Sequence, residues 1–116
     1  MLTKEAFHAA LGSGPWLLDG ATGSYLRKMG MPNGVSTEEW VLRNPEVLVG
    51  LQRGYAEAGS RIVYAPTFQA QPIALKKIGL DKHCEAINSQ LIALSRSAAP
   101  GCLVAGDIAT LAAYCD

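Results

Sequence analysis

Residues 44–68, NPEVLVGLQRGYAEAGSRIVYAPTF, contain a change of period that sets the fold class. Asn44-Pro45 reads as an N-cap followed by proline at the first helical position, where its missing N–H is not needed. Val47, Leu48, Leu51, Tyr55 and Ala58 then recur at steps of three and four, which predicts a helix to Ala58 with one apolar face. Gly59 is its expected stop. RIVYAPTF, residues 61–68, follows at once. It is β-branched, aromatic and apolar along its length, the pattern of a strand buried on both faces.

The same alternation extends outward in both directions. PWLLDG, residues 15–20, is a short apolar run stopped by Asp19, and CLVAGDI, residues 102–108, is another that stops at Asp107. Helical segments separate the runs. Thr3 can cap a helix to Leu11, closed by Gly12 and Gly14, with Pro15 barring continuation. A helical turn from Gly23 to Met29 ends at Gly30, and MPNGVSTEE is loop with turn chemistry before a helix entry at Thr37, near Trp40. Pro72 opens a helix closing at Gly79. A longer one from Asp81 to Ala99 carries Ile87, Leu91, Ile92, Leu94 and Ser95, and Pro100-Gly101 breaks it. Three apolar runs separated by helices imply an α/β fold with parallel strands and covering helices.

Composition narrows the function classes. The 116 residues suffice for one domain. They are 49% hydrophobic and 17% charged, lean against the ~25% charge of soluble domains. Ten basic and ten acidic residues cancel, so no electrostatic case exists for nucleic acid or an anionic membrane surface. No apolar run approaches the ~18 residues of a membrane span, the N-terminus lacks a signal-peptide core, and a cytoplasmic location is expected. Cys84, Cys102 and Cys115 are odd in number and widely spaced, which fits reduced thiols and neither a disulfide framework nor a zinc knuckle.

In parallel α/β folds the loops after the strands form the active site. Asp19, Thr67 and Asp107 all lie at such ends, so two carboxylates and a hydroxyl are expected around one pocket, or as braces of neighbouring loops. Gly20 and Gly23 do not make a dinucleotide fingerprint, because DGATGS lacks the three-glycine spacing. A bare backbone at Gly20 leaves amides free to approach a ligand carboxylate. His8 and His83 read as surface residues, Trp16, Trp40, Tyr25 and Tyr64 as packing, and Lys76, Lys77 and Lys82 as a solvated helix face.

LLDGATGSYLRKMG, then NPEVLVGLQRGYAEAGSRIVYAPTFQA, then LVAGDIA together resemble the N-terminal part of the homocysteine S-methyltransferase family, including the homocysteine-binding barrel of cobalamin-dependent methionine synthase. The likeness runs in order from Leu17 to Ala109. The family's fold is a (β/α)8 barrel of roughly 300 residues, so residues 1–116 correspond to its first three or so βα units, a partial domain that stops before the zinc-ligand segments.

The resemblance implies transfer of a methyl group to the zinc-bound thiolate of homocysteine, giving methionine. Zinc belongs to the full-length parent, whose cysteine ligands come from late strands. Neither Cys84, Cys102 nor Cys115 matches a ligand position. Cobalamin and methyltetrahydrofolate would enter through other domains. Asp19 resembles the acid that takes the substrate ammonium, Gly20 and Ala21 would offer backbone amides, and Thr67 and Phe68 match polar and aromatic positions after the second strand. Asp107 matches an acid at the third strand end, for ligand binding or loop bracing. Ser24 stands where the family usually has threonine, and Pro66 and Gln69 replace asparagine and glycine. The partner is homocysteine or a related thiol. The segment alone is expected to be inactive and, with open sheet edges, to form a homo-oligomer. The alternative is a non-catalytic partial barrel that self-associates or weakly binds an amino acid.

Overall fold

The computed structural model describes residues 2–110. Helices α1 (Lys4–Leu11), α2 (Gly23–Lys28), α3 (Thr37–Arg43) and α4 (Pro45–Glu57) precede strand β1 (Ile62–Tyr64), and α5 (Pro72–Lys76) and α6 (Cys84–Ala98) lead to strand β2 (Leu103–Ala105). Local chemistry fixes most ends. The Thr3 hydroxyl accepts from the Ala6 N–H at 3.1 Å, and Pro45 and Pro72 occupy first-turn positions. Gly59, at φ 109°, and Gly79, at φ 73°, turn the chain where other residues would be strained.

Several details depart from the sequence reading: α5 ends at Lys76, short of Gly79, and the strand read over residues 61–68 spans only Ile62–Tyr64. Asn44 makes no side-chain cap on α4; its Nδ2 instead donates to the Trp40 carbonyl at 2.9 Å. α3 ends one residue before α4 begins, so one amide serves the carbonyl end of the first helix. The Asp81–Ala99 segment is not one α-helix either: residues Asp81–His83 form a 3₁₀ turn before α6, the tighter winding common at helix ends.

β1 and β2 pair in parallel, Ile62 with Leu103, Val63 with Val104 and Tyr64 with Ala105. The first apolar run reaches the other edge of β1 but contributes a single parallel bridge, Leu18 to Ile62. Ile62 N–H donates to Leu17 C=O, and Asp19 N–H to Ile62 C=O. The next rung of a parallel ladder would run from Tyr64 N–H to the Asp19 carbonyl. Instead that N–H donates to Asp19 Oδ2 at 3.0 Å. The side chain replaces the backbone acceptor, and the ladder ends there.

Ile62 and Val63, on opposite faces of β1, are both buried, while β2 is half-buried throughout. The main core lies among the helices: Leu26, Met31, Val41, Leu48, Leu75, Ile87 and Leu91 form one buried cluster that includes Ala70. Fully burying each large aliphatic side chain contributes about 1.5–3 kcal/mol. Among the described residues no helix is long and apolar enough to cross a membrane.

Candidate functional site

Asp19 is half-buried at the carboxyl end of the first apolar run, held by the bond to Tyr64 N–H. Burial pushes its carboxyl above its ordinary value; the bonds from the Tyr64 N–H and its own N–H oppose that rise, and the negative charge of Asp107 adds to it. The cleft that Asp107 lines does not include Asp19, so the two acids stand near one another without sharing that pocket. Neither is paired with a lysine or arginine; among the described residues the one ion pair is Arg43 with Glu39, on the exposed face of α3.

Thr67 is buried, and its hydroxyl is committed to the chain. It accepts from the Asp107 N–H at 2.9 Å and donates to the Asp107 carbonyl at 2.9 Å. The residue thus fixes where Asp107 stands and presents no free hydroxyl to the cleft. Phe68, next in sequence, is 48% exposed. Its carbonyl accepts from Ala109 N–H at 3.1 Å, a second tie between the two loops. Phe68, Asp107, Tyr64, Thr22, Gly23 and Glu38 help line a cleft of about 230 Å³.

Gly20 and Ala21 stand beside the rim, packed against Tyr55 of α4. A Cβ on Gly20 would lie 2.8 Å from the Tyr55 hydroxyl oxygen and 3.1 Å from its ring. The hydroxyl donates to the Ala21 carbonyl at 3.0 Å. The absent side chain at Gly20 is therefore explained by Tyr55, whatever else its amide does. Tyr55 lies on the apolar face that the spacing of α4 marks, and its hydroxyl bond, which spans 34 residues, has no local signal in the sequence. Gln52, fully buried on the same helix, donates from Nε2 to the Tyr64 carbonyl at 2.9 Å and ties α4 to the end of β1.

The described residues do not fit a zinc site. No group of three His, Cys, Asp or Glu among them is placed to hold a metal ion. Cys84 Sγ donates to the Ala70 carbonyl at 3.3 Å, beyond the carboxyl end of β1, whereas Cys102 Sγ donates to the Ser60 carbonyl at 3.1 Å, before its start. The two free thiols are at opposite ends of the sheet. Cys115 lies outside the described residues. Among the described residues, then, Asp19 is a half-buried strand-end carboxyl and Asp107 a loop carboxyl on the cleft, and neither has a lysine or arginine partner.

The family model described as homocysteine S-methyltransferase matches residues 16–116. The homocysteine methyltransferase MmuM from Escherichia coli, in its metallated form, is 28% identical with a TM-score of 0.77, over 89% of this chain and 41% of that one. Its oxidised form gives 28% identity and a TM-score of 0.76, over 87% of this chain and 40% of that one. The chain is thus a small α/β unit that matches part of that methyltransferase and spans about two fifths of its length. No curated protein sequence matches it significantly.

Proposed function

Because the chain belongs to the homocysteine S-methyltransferase family, we propose that its strand-end rim binds the amino-acid end of homocysteine, for methyl transfer to the thiol and release of methionine. The observation that carries this reading is Asp19, half-buried at a strand end, its carboxyl held by the Tyr64 N–H and without a lysine or arginine partner among the described residues. Such a carboxyl gains from an ammonium group placed beside it. Asp19 Oδ2 already accepts from Tyr64 N–H, which fixes the carboxyl for a substrate ammonium. Thr67 holds Asp107 in place through backbone bonds, and Phe68 offers an apolar surface to the side-chain methylenes.

In this proposal residues 1–116 make up the first three or so βα units of a (β/α)8 barrel. Zinc, implied by the family, would supply a thiolate at neutral pH, held by residues other than a cluster within 2–110. These residues bind and orient; they do not transfer. The methyl donor, whether methyltetrahydrofolate through cobalamin or another, is met by other segments, and the free thiols at Cys84 and Cys102 suit a cytoplasmic setting. Half-buried β2, with the exposed Leu17 and Leu18 at the other edge of the sheet, favours self-association of the isolated chain.

Isothermal titration of L-homocysteine into the full chain tests the assignment. Asp19→Asn is expected to weaken binding by about 1.5–3 kcal/mol, the scale of a charge-assisted bond. Unchanged affinity would reduce Asp19 to a ladder-terminating residue.

A further inference from the structure

Glu38 is 2% exposed although it lies in the first turn of α3, between the half-buried Thr37 and Glu39. Both of its carboxyl oxygens are bonded. Oε1 accepts from the backbone N–H of Gln69 at 2.8 Å, and Oε2 accepts from the Ser36 hydroxyl at 3.0 Å. No lysine or arginine pairs with it among the described residues. A buried carboxyl without a counter-ion is costly unless its hydrogen bonds are complete. Here one of those bonds crosses 31 residues to the loop between β1 and α5.

That loop is tied at several other points. The Ala70 carbonyl accepts from Asn88 Nδ2 at 2.6 Å and from the Cys84 thiol, and the Phe68 carbonyl accepts from Ala109 N–H. Gln69 N–H is held by Glu38, in the peptide that follows Phe68. Glu38, Phe68 and Asp107 all line the same cleft. We propose that Glu38 is a positioning residue for the amino-acid site: its Oε1 fixes the Phe68–Gln69 peptide, and so sets how Phe68 and Asp107 stand over the cleft. The inference rests on the reading of the rim as a homocysteine site. Without the carboxyl, Gln69 N–H loses its acceptor and the loop loses its tie to α3.

Two variants of the full chain test this. Glu38→Ala is expected to weaken homocysteine binding by about tenfold, measured by titration well below its melting temperature. Glu38→Gln can accept from Gln69 through its amide oxygen and donate to the Ser36 hydroxyl, so affinity should return to within about threefold of wild type. Amide hydrogen exchange followed by NMR reads the clamp without any ligand: Gln69 N–H should be protected in wild type and Glu38→Gln and lose protection in Glu38→Ala. The proposal is overturned if Glu38→Ala binds homocysteine as wild type does, or if Gln69 N–H in the wild type exchanges as freely as an exposed loop amide. If Glu38→Ala does not fold, the wild-type exchange rate of Gln69 decides alone. A wild type that binds no homocysteine refutes the amino-acid reading instead, and leaves the exchange experiment to judge the clamp.

Discussion

Leu48 and Leu91 are fully buried in the cluster between the helices, whereas Phe68 and Ile108, a few residues past the ends of the two strands, are 48% and 88% exposed. The first region is held by undirected apolar contact. The second is held by directed bonds: Asp19 to Tyr64 N–H, Thr67 to both sides of the Asp107 backbone, Glu38 to Gln69 N–H. Packing is sensitive to lost volume, while the bonded rim is sensitive to lost donors, acceptors and charge. Substitutions should therefore separate folding from recognition.

The largest effect is expected in the helical layer. Leu48→Ala should lower unfolding stability by about 2–5 kcal/mol in urea denaturation, through lost transfer energy and the cavity left behind. Its homocysteine affinity, measured where the variant remains folded, should not change; a parallel loss of binding would erase the division between the two regions. Asp19→Asn reverses the pattern, with the binding loss given above and little change in the urea midpoint. Gly20→Ala lies between the regions. Its Cβ would meet the Tyr55 hydroxyl at 2.8 Å, so Tyr55 must swing away from Ala21, at a cost of about 1–3 kcal/mol in stability.

The smallest effect is in pH. Burial raises the carboxyl of Asp19 above its ordinary value, so the protonated form is favoured by folding. The stability gained from the neutral form is complete below the unfolded value and is lost as pH rises through the folded one. Solvent at this half-buried rim keeps the effect modest. Asp19→Asn should remove that part of the acid-range pH dependence, and Asp107→Asn, by deleting a like charge, should lower the Asp19 titration followed by NMR. An Asp19 titration indifferent to Asp107 would separate the two acids.

Much of the helical layer was legible because its signals are local. Thr3, Pro45, Gly59 and Pro72 mark ends by their own backbone chemistry, and the three-and-four spacing from Val47 to Ala58 marks the buried face. The strand-end acids were legible for a related reason: an apolar run that stops at Asp19 or Asp107 has run out of buried sheet. The remainder depends on distant partners. Nothing near Glu38 or Tyr55 in sequence announces Gln69 or Ala21, 31 and 34 residues away. The reduction of PWLLDG to one bridge came from a side chain displacing a carbonyl, a choice that apolar patterning does not encode. Asn44 has the local chemistry of a cap for α4, but the abutting end of α3 takes its amide.

The measurement that bears most directly on the rim as an ammonium site is a paired titration of the full chain, under reducing conditions, with L-homocysteine and with 4-mercaptobutanoate, the same molecule without its amino group. Homocysteine is expected to bind about 10- to 100-fold more tightly, the equivalent of roughly 1.5–3 kcal/mol, and Asp19→Asn should close that gap. Equal affinity for the two thiols, or a gap that Asp19→Asn leaves intact, would contradict the assignment.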